Sequence, residues 1–126
     1  MVHTHNVTES NEFLTEACHT PAVKGGWWTD LATGLPKERN IGEMLCLVHS
    51  EISEAMEGAR KNRMDDHLPH RKQIEVELAD ALIRIYDIAG GLDLDLGGAM
   101  AEKLAYNAQR ADHRIENRKL EGGKKF

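Results

Sequence analysis

Cysteine, proline and aromatic residues are all scarce in this chain, and its Lys and Arg are outnumbered by acids. Its cysteines, Cys18 and Cys46, stand far apart and outside any CxxC spacing, so neither a disulfide framework nor a thiolate zinc site is expected. Lys and Arg number 16 against 21 Asp and Glu, a net charge of −5, which argues against non-specific binding to a nucleic-acid backbone. No apolar run approaches the length of a membrane span, and Met1 to Asn11 is polar, so neither insertion nor export is expected. The expected setting is reducing and cytoplasmic. A chain of 126 residues fits a single domain, 1–126, with residues 1–10 and 117–126 as flexible tails. Its core is thin enough that helix pairs would gain from a partner subunit.

What remains is helical in pattern. A polar tail with His3 and His5 leads to a short helix expected from about Thr8 to Cys18, which Pro21 must end. Thr20 to Asn40 reads as a long loop, broken by Pro21, Gly25, Gly26, Gly34 and Pro36, and a loop of that length is more often functional than idle. It carries Trp27 and Trp28, which could stack on a base or wall off a pocket, or equally anchor a core or subunit interface. Asn40 is suited to cap a second helix running to about Asn62, with Leu45, Val48, Ile52, Ala55 and Ala59 as its apolar stripe. After a turn from Arg63 to His70, Ile74, Leu78, Ala81, Ile85 and Ile88 mark a third helix, ended by Gly90-Gly91. A fourth starts near Asp95, with Met100, Leu104, Ala108, Ala111 and Ile115 on its stripe. The expected fold is all-α, a bundle of three long helices plus a short N-terminal one.

Helices two and three each carry a pair of acids spaced i, i+3: Glu51 with Glu54, and Glu77 with Asp80. Residues three apart share a helix face, so each pair can aim both carboxylates at one spot. Side by side, the two helices would gather four carboxylates whose repulsion destabilises the fold unless a cation sits among them. Each pair also lies one residue back from its apolar stripe, a rotation of about 100° that puts it on the border of the buried face. In helix three that border reads Gln73, Glu77, Asp80, Arg84, Asp87; in helix four it reads Lys103, Asn107, Arg110, Arg114. A cleft between acids and cations would result. Hard oxygen ligands favour Mg²⁺, with Mn²⁺ as substitute, and Mg²⁺ shares its shell readily with phosphates. Hydrolysis of a polyphosphate is the chemistry that follows, with Glu51 or Glu54 orienting the attacking water.

The order Glu51-x-x-Glu54, Glu77-x-x-Asp80, then Lys103-x-x-Tyr106-Asn107-x-x-Arg110 and a terminal Gly-Lys-Lys-Phe resembles the MazG-type all-α nucleoside triphosphate pyrophosphohydrolase superfamily, over roughly Trp27 to Phe126. The resemblance implies a helical bundle assembled as a dimer or a dimer of dimers. It also implies magnesium bound by Glu51, Glu54, Glu77 and Asp80, and cleavage of (deoxy)nucleoside triphosphates between the α and β phosphates. Lys103, Asn107 and Arg110 would hold the nucleotide or its phosphates. Nucleotide-pool cleaning is the expected role. The alternatives are hydrolysis of phosphoribosyl-ATP in histidine synthesis, and a non-catalytic helical interaction module whose acids are only a solvated face. Asp93-Leu94-Asp95 resembles the start of a calcium loop but lacks its later ligands, so a helix cap is the expected role. Glu16-x-x-His19 has the form of a di-iron motif but occurs once, where two are needed.

Overall fold

A computed structural model describes residues 6–126; His3 and His5 lie outside the described residues. The fold is all-α, as expected: α1 (Val7–Lys24), α2 (Ile41–Arg60), α3 (Gln73–Gly91) and α4 (Leu96–Gln109), then a 3₁₀ turn (Ala111–His113) and the short α5 (Ile115–Arg118). No described helix is long and apolar enough to cross a membrane. The chain forms two compact units, a larger one of Phe13–Leu94 and a smaller one of the residues up to Glu12 with Asp95–Phe126.

In the larger unit, α2 starts where its cap requires. The Asn40 side chain accepts the backbone N–H of Glu43 at 2.9 Å, and Glu43 and Arg60 place opposite charges at the two ends of the helix dipole. Beyond α2 the chain reverses through Asn62, whose φ of 49° suits asparagine, and around Asp65, whose carboxylate accepts from the N–H groups of His67 and Leu68 at 3.0 and 2.8 Å. The two helices then run antiparallel, Gln73 at the start of α3 donating to the carbonyl of Glu54 near the end of α2.

Their contact face keeps Ala55, Ala81 and Ile88 of the expected stripes and loses most of the larger members. Met44, Ala55 and Gly58 are buried on α2, and Glu77, Ala81 and Ile88 on α3, whereas Leu45, Ile52 and Leu78 remain 49%, 48% and 44% exposed. The cause is close approach through small side chains. A Cβ at Gly58 would run into the side chain of Gln73, so the helices meet along Gly58, Ala55 and Ala81, and the bulkier apolar residues are turned outward. Of the border that carries the acids, Glu77 is therefore buried in the helix pair, Glu51 and Asp80 are half-buried, and Glu54 is exposed.

Two other expectations are corrected. The first helix is not short, and Pro21 does not end it. Proline removes a single N–H, and α1 continues to Lys24 with the Gly25 N–H closing onto the Pro21 carbonyl at 2.9 Å, while His19 in the same stretch is bound by Asp87 of α3. The long loop accordingly begins only at Gly25. α3 does end at Gly90-Gly91, as expected: both residues are still helical, Leu92 is the cap, and the left-handed turn falls on Asp93, at φ 54°. The pair supplies clearance, since a Cβ on Gly90 or Gly91 would strike the ring of His19 or Trp28.

Within the smaller unit Asp95 caps α4 by accepting from the N–H of Gly98 at 2.9 Å. Gly97 is buried against Thr8 and Asn11 of α1, and Asn11 donates to the Val7 carbonyl at 2.8 Å and to the Met100 sulfur at 3.4 Å. The expected apolar stripe does not run unbroken to Ile115. Arg110 leaves the helix for extended backbone and forks onto Asp112 at 3.0 and 2.8 Å, and Ile115 is exposed.

Candidate metal centre and adjoining cavity

Three of the four expected acids converge. Glu51, Glu77 and Asp80 each offer a carboxylate oxygen such that all three oxygens lie within 4.8 Å of one another. They are positioned by the close helix contact, which turns Glu77 inward to 8% exposure and leaves Glu51 and Asp80 half-buried. Glu51 also accepts from the Arg84 Nε at 3.1 Å. Glu54 contributes no oxygen within that distance; it is exposed at the rim, and its negative charge is felt at both Glu77 and Asp80.

The cluster is short of positive charge. A hydrogen bond with Glu51, then burial and the charges of Glu54, Glu51 and Asp80, push the Glu77 carboxyl up to about 7. Burial, followed by the charge of Glu51, raises Asp80 as well, with Arg84 opposing the rise. Two carboxyls sharing a hydrogen bond need a proton between them at neutral pH, and a cation can take the place of that proton. Three hard oxygen donors at this spacing could hold a metal ion.

Glu51 and Asp80 of the cluster line a cavity of about 690 Å³, within the range of small-molecule sites. Glu51, Asp80 and Arg84 line it toward the metal cluster, Met44, Leu47, Ile83 and Ile88 give it apolar walls, and Trp27, Arg39 and Asp87 line it further along α3. Asp87 is a junction there. One oxygen accepts from the His19 Nδ1 at 2.8 Å and from the Trp28 Nε1 at 2.9 Å, and the other faces Arg39 at 3.7 Å. The His19 ring meets Trp28 edge-on at 5.4 Å, and the Arg39 guanidinium lies 5.0 Å from the Trp28 ring centre. Burial, then the Asp87 charge, raises the nearby Cys18 thiol. The adjacent tryptophans thus separate in role: Trp28 is bound into the fold, and Trp27 is a largely exposed wall of the cavity.

The expected nucleotide ligands of the fourth helix belong to the smaller unit. Lys103 sits over the Tyr106 ring at 4.6 Å. Arg110 lies 5.9 Å from the same ring and, with Lys124, holds the Asp112 carboxyl far below the usual carboxylate range. The Asn107 Oδ1 is buried and has no hydrogen-bond partner among the described residues. Sequence reasoning placed Arg84 and Asp87 on the right helix border without giving them a part in the site, and it missed Arg39, which stands beside the Asn40 cap where no periodicity marks it.

Comparison with family models, curated proteins and solved structures finds no match to the chain.

Proposed function

We propose that this chain is a divalent-metal-dependent hydrolase of nucleoside triphosphates, cutting between the α and β phosphates to give a nucleoside monophosphate and pyrophosphate. The observation that carries the reading is the convergence of Glu51, Glu77 and Asp80, two of which, Glu51 and Asp80, line a cavity large enough for a nucleotide. In this reading Mg²⁺, or Mn²⁺ in its place, is held by those carboxylates and supplies charge neutralisation to the phosphates. Glu77 exchanges its proton for the cation. Glu51, engaged by Arg84 and Glu77, is fixed as a ligand, which leaves Glu54 as the free carboxylate that orients water and accepts its proton. Lys103, Asn107 and Arg110 enter as phosphate ligands on the strength of the resemblance alone. Self-association also belongs to the reading, supported by half-exposed Leu45, Ile52, Met56, Leu78 and Leu82 on the outer side of α2 and α3.

The test is a panel of nucleoside triphosphates with Mg²⁺ or Mn²⁺, scored for pyrophosphate against orthophosphate. Pyrophosphate as the direct product, lost by about 100-fold or more in Asp80→Asn, is expected. Direct release of orthophosphate would move the attack to the γ phosphate and reject the mechanism. Phosphoribosyl-ATP in the same panel addresses the related substrate.

A further inference from the structure

Arg39 holds its guanidinium in place without spending its hydrogen bonds. Its side chain is 18% exposed and stacks on Trp28, and its 3.7 Å approach to Asp87 is charge attraction beyond hydrogen-bond range. Among the described residues these are its only partners. A planar fork oriented in this way loses little further freedom when it meets a planar acceptor.

What it would meet follows from the walls. Asp80 and Asp87 are two helical turns apart on α3, roughly 10 Å, so the Arg39 end of the cavity stands well away from the acids. Ile88, next to Asp87 in the chain, lines the cavity together with Met44 and Trp27, and apolar walls of this kind accommodate an aromatic ring at less cost than a polyphosphate tail. Trp27, 66% exposed and lining the same cavity, offers a face for that ring to stack against.

We propose that this end of the cavity is a nucleobase subsite and that Arg39 is its specificity-determining residue, selecting guanine over adenine. Guanine presents two acceptors, O6 and N7, on one edge, which a guanidinium fork matches bidentately. Adenine presents there one acceptor and one amino donor, so one arm of the fork would face another donor. Asp87 acts through Arg39 and Trp28 as a positioning residue. The orientation of the bound nucleotide, phosphates toward the acids, rests on the function proposed above.

Quenching of tryptophan emission in the full chain, titrated with dGMP and with dAMP and repeated with dGTP and dATP in Mg²⁺, tests the proposal. dGMP is expected to bind about 10-fold more tightly than dAMP. Arg39→Met, which keeps an apolar stem and loses every donor, is expected to bring that ratio close to one. Equal affinities in the natural chain, absence of quenching by either nucleotide, or a guanine preference that survives Arg39→Met would each overturn it. The first two outcomes need no variant, so misfolding of Arg39→Met cannot protect the idea. A guanine preference in binding without pyrophosphate release from dGTP would support the subsite and reject the hydrolytic reading, which keeps the two failures distinct.

Discussion

Asp87 accepts the indole N–H of Trp28 at 2.9 Å, and that bond fastens the loop after α1 to the last turns of α3. The acceptor is a half-buried carboxylate already engaged with His19, so the bond is charge-assisted and its loss leaves lone pairs unsatisfied. Trp28→Phe retains much of the apolar surface and deletes the donor. It is expected to lower stability by about 1–3 kcal/mol, measured by urea denaturation. An unchanged midpoint would show that the loop is held by packing alone.

The carboxyl of Glu77 gives a pH dependence with a definite sign. Its value in the fold, about 7, lies above the ordinary 4.5, so between those values the folded chain binds more protons than the unfolded chain. Stability therefore falls as pH rises through that window, contrary to the behaviour of a salt-bridged acid. Thermal melts in a chelator should show a melting temperature that declines from pH 5 to pH 8. Mg²⁺ or Mn²⁺ should reduce or reverse the decline by replacing the proton. Glu77→Gln should flatten it, and a flat profile in the natural chain would contradict the buried, proton-sharing cluster.

Much of this arrangement could be read from the residues. The stripe Gln73, Glu77, Asp80, Arg84, Asp87 was visible as the border of α3, and the last three of these line the cavity. Its periodicity is local, so helix geometry alone sets which side chains share a face. The depth of that border was not visible. It depends on how near α2 comes to α3, which Gly58, Ala55 and Ala81 decide through missing side-chain volume, whereas a pattern of large apolar residues points to Leu45 and Ile52 instead. Pro21 misled for a related reason: helix propensity counts the lost N–H but not the tertiary bond from His19 to Asp87. Arg39 and His19 meet Asp87 across long sequence separations, and no local pattern encodes such a meeting.

Gly91 can be tested as a spacer. A Cβ there would overlap the outer edge of the Trp28 indole, and both backbones at the contact are already committed, α3 to its helix and Trp28 to Asp87. Gly91→Ala should therefore destabilise by about 1–3 kcal/mol, although alanine is the better helix former by about 1 kcal/mol. Sedimentation or spectroscopy under denaturant would measure it, and a stabilised variant would mean that the indole moves aside freely.

The outward apolar face of α2 and α3 bears on assembly. Leu45, Ile52 and Met56 on α2, and Leu78 and Leu82 on α3, are each about half exposed and recur at helical spacing along their own helix. If a second copy covers it, Ile52→Glu and Leu82→Glu should convert the assembly to monomer in analytical ultracentrifugation without altering helix content by circular dichroism. A natural chain that is monomeric at high concentration would remove the face from the argument.

Glu54 and Asp80 should separate metal binding from chemistry. Asp80 places an oxygen within the three-acid cluster, so Asp80→Asn should weaken Mn²⁺ binding, measured by calorimetry or electron paramagnetic resonance, and lower turnover along with it. Glu54 lies outside that set and affects Glu77 and Asp80 only through its charge. Glu54→Gln should therefore leave Mn²⁺ affinity within a few-fold while lowering kcat by about 100-fold or more, the range for losing a general base. It should also ease the repulsion that lifts Glu77, moving that carboxyl down toward its ordinary value. If Glu54→Gln lost metal as severely as Asp80→Asn, Glu54 would be a ligand recruited on binding. The carboxylate that takes the proton would then have to be found elsewhere.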